Sequence, residues 1–550
     1  MRKVFNRRER GETARRERGE LLVDPIELEL FRHLLGSIAE EMGVVLRKTA
    51  YSANIKERRD YSCAVYDAKG DTVAMGDHMP VHLGAMPLSV EYARKAFQFE
   101  PGDIVILNDP FQGGTHLPDI TAVSAVFLKG QRKPAFYIAN RAHHADVGGM
   151  SPGSMPLARE IFQEGLRIPP ILLARRGTVD RDLLRLILAN VRTPVEREGD
   201  LLAQCMAIHR GEVRLRELVE RYGAPTVNRN MSRLQQYSER MMRATVRKLP
   251  DGIYPFDDFL DGDGVSPEPI RIAVKITISG DSAVVDFTGS DPQANGPLNA
   301  NYAIAVAATT YVFRCLIKED VPFTAGLMRP VRVIAPEGTV VNALPPAAMA
   351  AGNVETSQRI TDVLLGALSK AAPDRIPAAS SGTMNNLTFG GWDRVRNRAF
   401  AYYETIAGGM GAGPVHAGQS AVHTHMTNSW NTPVEAFEHQ YPLRIRKYAI
   451  RPDSGGEGRQ CGGDGIIREF EFLAPAEVTL ISDRRERGPY GLLGGSTGKP
   501  GRNLLIRNGR NTPLAGKAQI AVHARDVVRI ETPGGGGFGT SPEQNPDSVL

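Results

Sequence analysis

Cysteine is scarce in this chain. Only Cys63, Cys205, Cys315 and Cys461 occur in 550 residues, far apart and with no CxxC pair, which excludes a disulfide framework and a zinc ribbon and leaves reduced thiols as the expectation. Long apolar runs are missing too. No window of about 18 consecutive apolar residues is present, so no membrane-spanning helix is expected. The first twenty residues are too charged to hold the apolar core of a secretory signal, and the expected location is the cytoplasm. An excess of one charge sign is also lacking. Lys and Arg number 67 against 62 Asp and Glu, for a net charge of +5. Eight basic residues and four glutamates within residues 1–20 carry +4 of that. A basic arm on a near-neutral body, with no RNA- or DNA-binding signature, reads as a solvated tail and argues against a nucleic-acid partner.

The length provides for several domains at roughly 100–200 residues each. The expected division is a disordered basic arm at 1–22, an N-terminal αβ domain at 23–250, a central αβ segment at 251–345, a glycine-rich αβ region at 346–539 and a flexible tail at 540–550. Asp24 and Pro25 open an apolar pattern at helical spacing through Leu46, with Asp24 as N-cap and Pro25 at the first helical position. Ser62–Met75 reads as a hairpin, Asp103–Leu107, Ile120–Leu128 and Ala135–Asn140 as strands, and residues 180–248 as helical. Strands return at Ile270–Ile278 and Ala283–Phe287, followed by a helix from Tyr302 to Leu316. The fold class is mixed α+β and multidomain. Without regular βα alternation, neither a doubly wound sheet nor a TIM barrel is supported.

Polar chemistry concentrates in the first 150 residues. NDPFQGGTHLPD (residues 108–119) is a strand end and glycine turn that delivers His116 and Asp119; NRAHHADVGG (residues 140–149) is another, delivering His143, His144 and Asp146. If the two ends are neighbours, imidazole and carboxylate suffice for one divalent ion of the Zn, Mn or Fe class, with the remaining groups behind it. Such an ion activates a water or polarises a carbonyl. His78 and His82 flank Pro80 and are read as part of a structural loop. His423 and His425 alternate as on a strand, one of them expected to line a cleft.

Nucleotide and hydrolase motifs fail on spacing. GGSTGKPG departs from the phosphate-loop pattern at Leu493 and Pro500. The GxGxxG at residues 534–539 has no room for a βαβ unit and reads as a closely packed or flexible turn. Both GxSxG matches, at 149–153 and 494–498, are accompanied by prolines that a nucleophile elbow does not tolerate.

The strings DPIELELF, RRDYSCAVYD, MPVHLGAMP, NDPFQGGTHLPDI, NRAHHADVGGMSPGSMP, DFTGSDPQANGPLN, AGNVETSQRITDVLLGAL, HMTNSWNTPVE, RKYAIRPDSGGEGRQCGGDGIIREF and TPGGGGFG, in this order, resemble the hydantoinase B/oxoprolinase family over nearly the whole chain. The resemblance implies a hetero-oligomer in which a hydantoinase A-type partner binds ATP and activates the carbonyl of a small cyclic amide or imide. This chain then completes ring opening. A ketone carboxylase component and a non-catalytic scaffold are the alternatives. His116, Asp119 and one of His143 and His144 resemble the family's metal positions, and His82, Asp109 and Asp146 resemble orienting or substrate-contacting groups.

Overall fold

The computed structural model describes residues 24–76 and 78–541; the expected arm at 1–22 and residues 542–550 of the expected tail lie outside the described residues. Helix α1 (Pro25–Thr49) begins as its sequence prescribes. The Asp24 carboxylate accepts the Ile26 amide at 2.9 Å, Pro25 occupies the first turn, and Arg47 and Lys48 lie in the last, where they complement the helix dipole. Phe31, Leu35, Ile38, Met42 and Leu46 form its buried stripe, while Ile26 and Leu30 of the same apolar pattern stay exposed.

A short helix α2 (Ala53–Lys56) leads into β1 (Tyr61–Tyr66) and β2 (Thr72–Met75), the expected hairpin. Helices α3 (Pro80–Leu83) and α4 (Met86–Ala96) follow, then β3 (Ile104–Leu107), β4 (Asp119–Val126), β5 (Phe136–His143), β6 (Ile171–Arg175) and β7 (Thr178–Val179). These strands make one antiparallel sheet in the order β2-β1-β5-β4-β3-β6-β7. Both faces are covered. Ile104, Ile106, Ile120 and Ile138 share a core with α1 and with α6 (Pro194–Tyr222), which follows α5 (Arg181–Ala189). Val105, Leu107, Val123 and Ala139 pack on the other side with Met86 and Val90 of α4. Two-sided burial explains why these strands read as continuous apolar runs.

Helix α7 (Ala224–Val246) leads to β8 (Gly252–Leu260), β9 (Ile270–Ser279), β10 (Ser282–Asp286) and, after α8 (Tyr302–Cys315), β11 (Val331–Ile334), a second sheet ordered β11-β10-β9-β8. A π-helical turn at Gly352–Thr356 runs directly into α9 (Ser357–Ala371), which lies on β8 and β9. The core beneath it includes Val340, Val341, Ala350, Ala351 and Ile376.

In the last third come β12 (Asn386–Asp393), β13 (Arg398–Glu404), α10 (Val434–Gln440), β14 (Leu443–Arg451), β15 (Gly465–Phe472), β16 (Ala476–Ile481), β17 (Arg502–Arg507), β18 (Arg510–Leu514), β19 (Lys517–Val522) and β20 (Val527–Glu531). They form two sheets, β13-β12-β16-β19 and β14-β15-β20-β17-β18, that share a core of Phe389, Tyr402, Phe470, Phe472, Val478 and Val528. The glycines at 534–537 are close-packed: a β-carbon on Gly535 would collide with the Met410 carbonyl. The architecture is a mixed α+β fold of several sheets, and among the described residues no helix is long and apolar enough to cross a membrane.

Candidate metal centre

Strands β4 and β5 pair antiparallel with Asp119 directly opposite His143. His116 stands three residues before Asp119, at the end of the glycine turn. The three side chains are buried, and one ligand atom from each falls within 4.8 Å of the other two. Successive side chains on a strand point to opposite faces. His144 therefore leaves the cluster, placing its Nε2 3.0 Å from Gln204 Oε1 beneath α6. Burial, and then the Arg197 charge, push its imidazole down to about 4. The structure thus brings His143, not His144, to His116 and Asp119.

The two Asp119 oxygens differ in their surroundings. Oδ2 receives Thr115 Oγ1 at 3.0 Å and Asn353 Nδ2 at 3.1 Å, and His82 Nε2 stands 3.3 Å away. Oδ1 makes no hydrogen bond, although His116 Nε2 is 3.2 Å and His143 Nδ1 3.4 Å from it. His116 Nδ1 donates to the Ala350 carbonyl at 3.0 Å, and its Nε2 is unpaired. Ligand atoms about 2.1 Å from a tetrahedral or octahedral ion sit about 3.0–3.4 Å apart. Asp119 Oδ1 stands at that separation from both His116 Nε2 and His143 Nδ1, and with Oδ1 and His116 Nε2 buried and unpaired the set fits one divalent cation of the Zn, Mn or Fe class. Burial opposes ionisation of Asp119, but the His116 and His82 imidazoles hold its carboxyl well below the ordinary range. Burial also lowers His143, keeping a neutral ring with a lone pair available.

The surroundings fix these groups. His82 sits on α3, a helical turn in place of the expected loop; Pro80 starts it, and the first turn is where a helix accepts proline. Ser62 Oγ takes the Met79 amide at 3.2 Å and donates to His82 Nδ1 at 2.9 Å, turning His82 Nε2–H toward Asp119. Behind Thr115 stands buried Arg141, whose Nη1 donates to Thr115 Oγ1 at 3.3 Å. The Tyr403 ring stacks on His143 with centroids 4.3 Å apart. Asn353 enters from the π-helical turn, a geometry that recurs at functional sites. Sequence reasoning missed Thr115, Asn353 and Tyr403. Asn353 and Tyr403 lie more than 200 residues from Asp119, and only the presence of AGNVETS and AYYET among polar-rich strings could have hinted at them.

Asp109 and Asp146 both accept hydrogen bonds from neighbouring groups. The Asp109 carboxylate accepts the Phe111 amide at 3.0 Å and Gln112 Nε2 at 3.1 Å, shaping the glycine turn. The Asp146 carboxylate accepts the amides of Gly148, Gly153 and Arg192 and the Arg192 Nη1. His423 and His425 lie in no strand; His425 adopts φ 59°, and both line a cavity of about 620 Å³ with Tyr311, Leu316 and Leu365. Burial, then the charges of Arg58 and Arg468, lower His423 to about 3.

Residues 24–541 match the family model described as hydantoinase B/oxoprolinase. An uncharacterized protein of Methanocaldococcus jannaschii is 41% identical, the match covering 96% of this chain and 93% of that one. 5-Oxoprolinase 1 of Arabidopsis thaliana is 38% identical over 95% of this chain, which spans 42% of that protein's length. A Pseudomonas protein whose name marks it as a candidate B component of a D-/L-hydantoinase is 31% identical, covering 96% of this chain and 92% of its own. The crystal structure of an ATP-dependent caprolactamase from Pseudomonas jessenii superposes with a TM-score of 0.86 at 30% identity, over 94% of this chain and 92% of that one. Nucleotide-free acetone carboxylase shares the fold, with a TM-score of 0.84 at 19% identity over 96% of this chain and 78% of that one. Ten strings in order and a match over nearly the whole described length lead to one conclusion: the chain belongs to the hydantoinase B/oxoprolinase family.

Proposed function

We propose that this chain is the ring-opening component of a cytoplasmic, ATP-dependent hydrolase of small cyclic amides or imides of the hydantoin or 5-oxoproline type, working with an A-type partner that binds ATP. The observation that carries this reading is the unpaired pair Asp119 Oδ1 and His116 Nε2, 3.2 Å apart and fully buried beside His143. The names of the relatives, 5-oxoprolinase, D-/L-hydantoinase and caprolactamase, supply the substrate class. A divalent ion held by His116, Asp119 and His143 would supply Lewis-acid activation of a water or a carbonyl. The chain's own groups prepare that place. Thr115, Asn353 and His82 occupy Asp119 Oδ2 and leave Oδ1 directed at the imidazoles, as outer partners orient ligands elsewhere. Tyr403 closes one side against His143 and keeps bulk water out.

The test is reconstitution with an A-type partner, a panel of hydantoins, 5-oxoproline and lactams, and metal content by mass spectrometry. ADP release coupled to ring opening, with about one divalent ion per chain, is expected. His116→Ala and Asp119→Ala should remove the ion and lower turnover by at least about a hundredfold. Unchanged turnover and metal content in both variants would refute the metal centre and favour a scaffold, and turnover only with ketone plus bicarbonate would place this chain in a carboxylase.

A further inference from the structure

The cavity lined by His423 and His425 encloses about 620 Å³, inside the roughly 300–1,000 Å³ of small-molecule sites. Its apolar wall comes from Tyr311 of α8, Leu365 of α9, Leu316 and Ile376. Both His423 nitrogens and His425 Nε2 are buried without a hydrogen-bond partner. Such atoms are few in native proteins, and each costs about 1–3 kcal/mol. His425 Nδ1 has only Tyr311 Oη at 3.5 Å, and its backbone stands at φ 59°, where L-residues are seldom found except under constraint, often at ligand clamps. Two links tie this cavity to the candidate centre. Pro80 of α3 lines the cavity, and on the same turn His82 Nε2 is 3.3 Å from Asp119 Oδ2. Thr427, also in the wall, has its Oγ1 3.3 Å from Ser429 Oγ. Arg58 donates to that hydroxyl at 3.3 Å and to the Tyr403 carbonyl at 2.8 Å, and Tyr403 stacks on His143.

We propose that this cavity recognises the cyclic amide or imide, His423 and His425 between them giving a hydrogen bond to its carbonyl and taking one from its N–H, with the apolar wall against its carbon skeleton. This rests on the ring-opening reading above and adds the place where the ring is held. Burial, then the Arg58 and Arg468 charges, keep the His423 ring neutral, and burial lowers His425 as well. A neutral imidazole offers one N–H donor and one lone pair. A ring amide carries the matching acceptor and donor side by side. A phosphate or a carboxylate carries acceptors alone and leaves the lone pairs unmet, and a hydrocarbon meets neither.

The test uses the complex reconstituted with an A-type partner, with hydantoin, 5-oxoproline and caprolactam as probes. His423→Leu and His425→Leu should each raise KM for the ring at least about tenfold with metal content unchanged. His423→Gln, which keeps a donor and an acceptor, should recover most of that loss. Unchanged KM in both Leu variants while rings still open would reject the cavity and leave ring opening in place. A second check needs no variant. Cys315 also lines the cavity and is exposed, so saturating ring should block its alkylation by iodoacetamide while the exposed Cys461 reacts as before, read by peptide mass spectrometry. No protection by any of the three rings overturns the cavity, and equal protection by inorganic phosphate or acetate overturns its assignment to an amide. If the wild-type complex opens no ring at all, the underlying reading fails and the assignment with it.

Discussion

Glu164 shows how a single residue can act on the candidate centre without touching it. Its Oε1 accepts the Met349 and Ala350 amides at 2.7 and 2.8 Å, and the carbonyl of Ala350 receives His116 Nδ1 at 3.0 Å. Glu164→Ala would leave two buried amides unsatisfied, costing about 2–5 kcal/mol in a urea titration, and should also lower metal occupancy. Glu164→Gln should keep both. Burial raises the Glu164 carboxyl from 4.5 to about 8, against the two amide donors. The folded chain therefore holds a proton that the unfolded chain releases above its ordinary value. Stability from this group is full below about pH 4.5 and falls as pH rises toward about 8. Glu355, raised to about 7, acts with the same sign. Urea midpoints at pH 5 and pH 8 should draw closer in Glu164→Gln, and closer still in the double variant with Glu355→Gln.

At the scale of elements, the π-helical turn and strand β5 matter most. A β-carbon on Gly352 would collide with the Asn299 carbonyl, so the backbone passes there only because the residue is glycine. Gly352→Ala should cost about 1–3 kcal/mol by overpacking, shift the turn, and free Asn353 from Asp119. Reduced metal content with helical circular dichroism preserved is the expected result. The strands of the first sheet are legible in the sequence because both of its faces are covered and their apolar runs are unbroken. Alternation alone predicts a strand at His423 and His425. None forms there, because the backbone turns at His425 through the left-handed region, where an extended chain cannot continue.

Across the whole molecule, a buried ion network joins the second and third sheets. Arg359 of α9 donates to Asp258 of β8 at 2.7 Å and to Asp483, just after β16, at 3.1 Å. Arg484 bridges Asp258 and Asp362 at 2.6 and 2.7 Å, and Lys517 of β19 reaches Asp483 at 2.7 Å. Removing one partner of a buried cluster strands the others. Arg359→Met should therefore cost about 3–5 kcal/mol, read from urea denaturation. The network also ties α9, and with it the turn bearing Asn353 and Glu355, to the C-terminal sheets. A lowered metal occupancy in the same variant would show that the tie reaches the centre.

The sequence by itself determined helices α1 and α8, strands β1 to β5, the mixed α+β class, the family, and the delivery of His116, Asp119 and a histidine pair to two strand ends. Those are local properties: apolar periodicity, glycine turns and residue chemistry within a few positions. The tertiary structure decided which members of that set converge. The β4–β5 register puts His143 opposite Asp119 and turns His144 away. Chain folding brings His82, Asn353 and Tyr403 in from distant segments, and sets Asp109 and Asp146 against neighbouring amides and the side chains of Gln112 and Arg192. Register and packing are set by which faces bury together, and no short string carries that information.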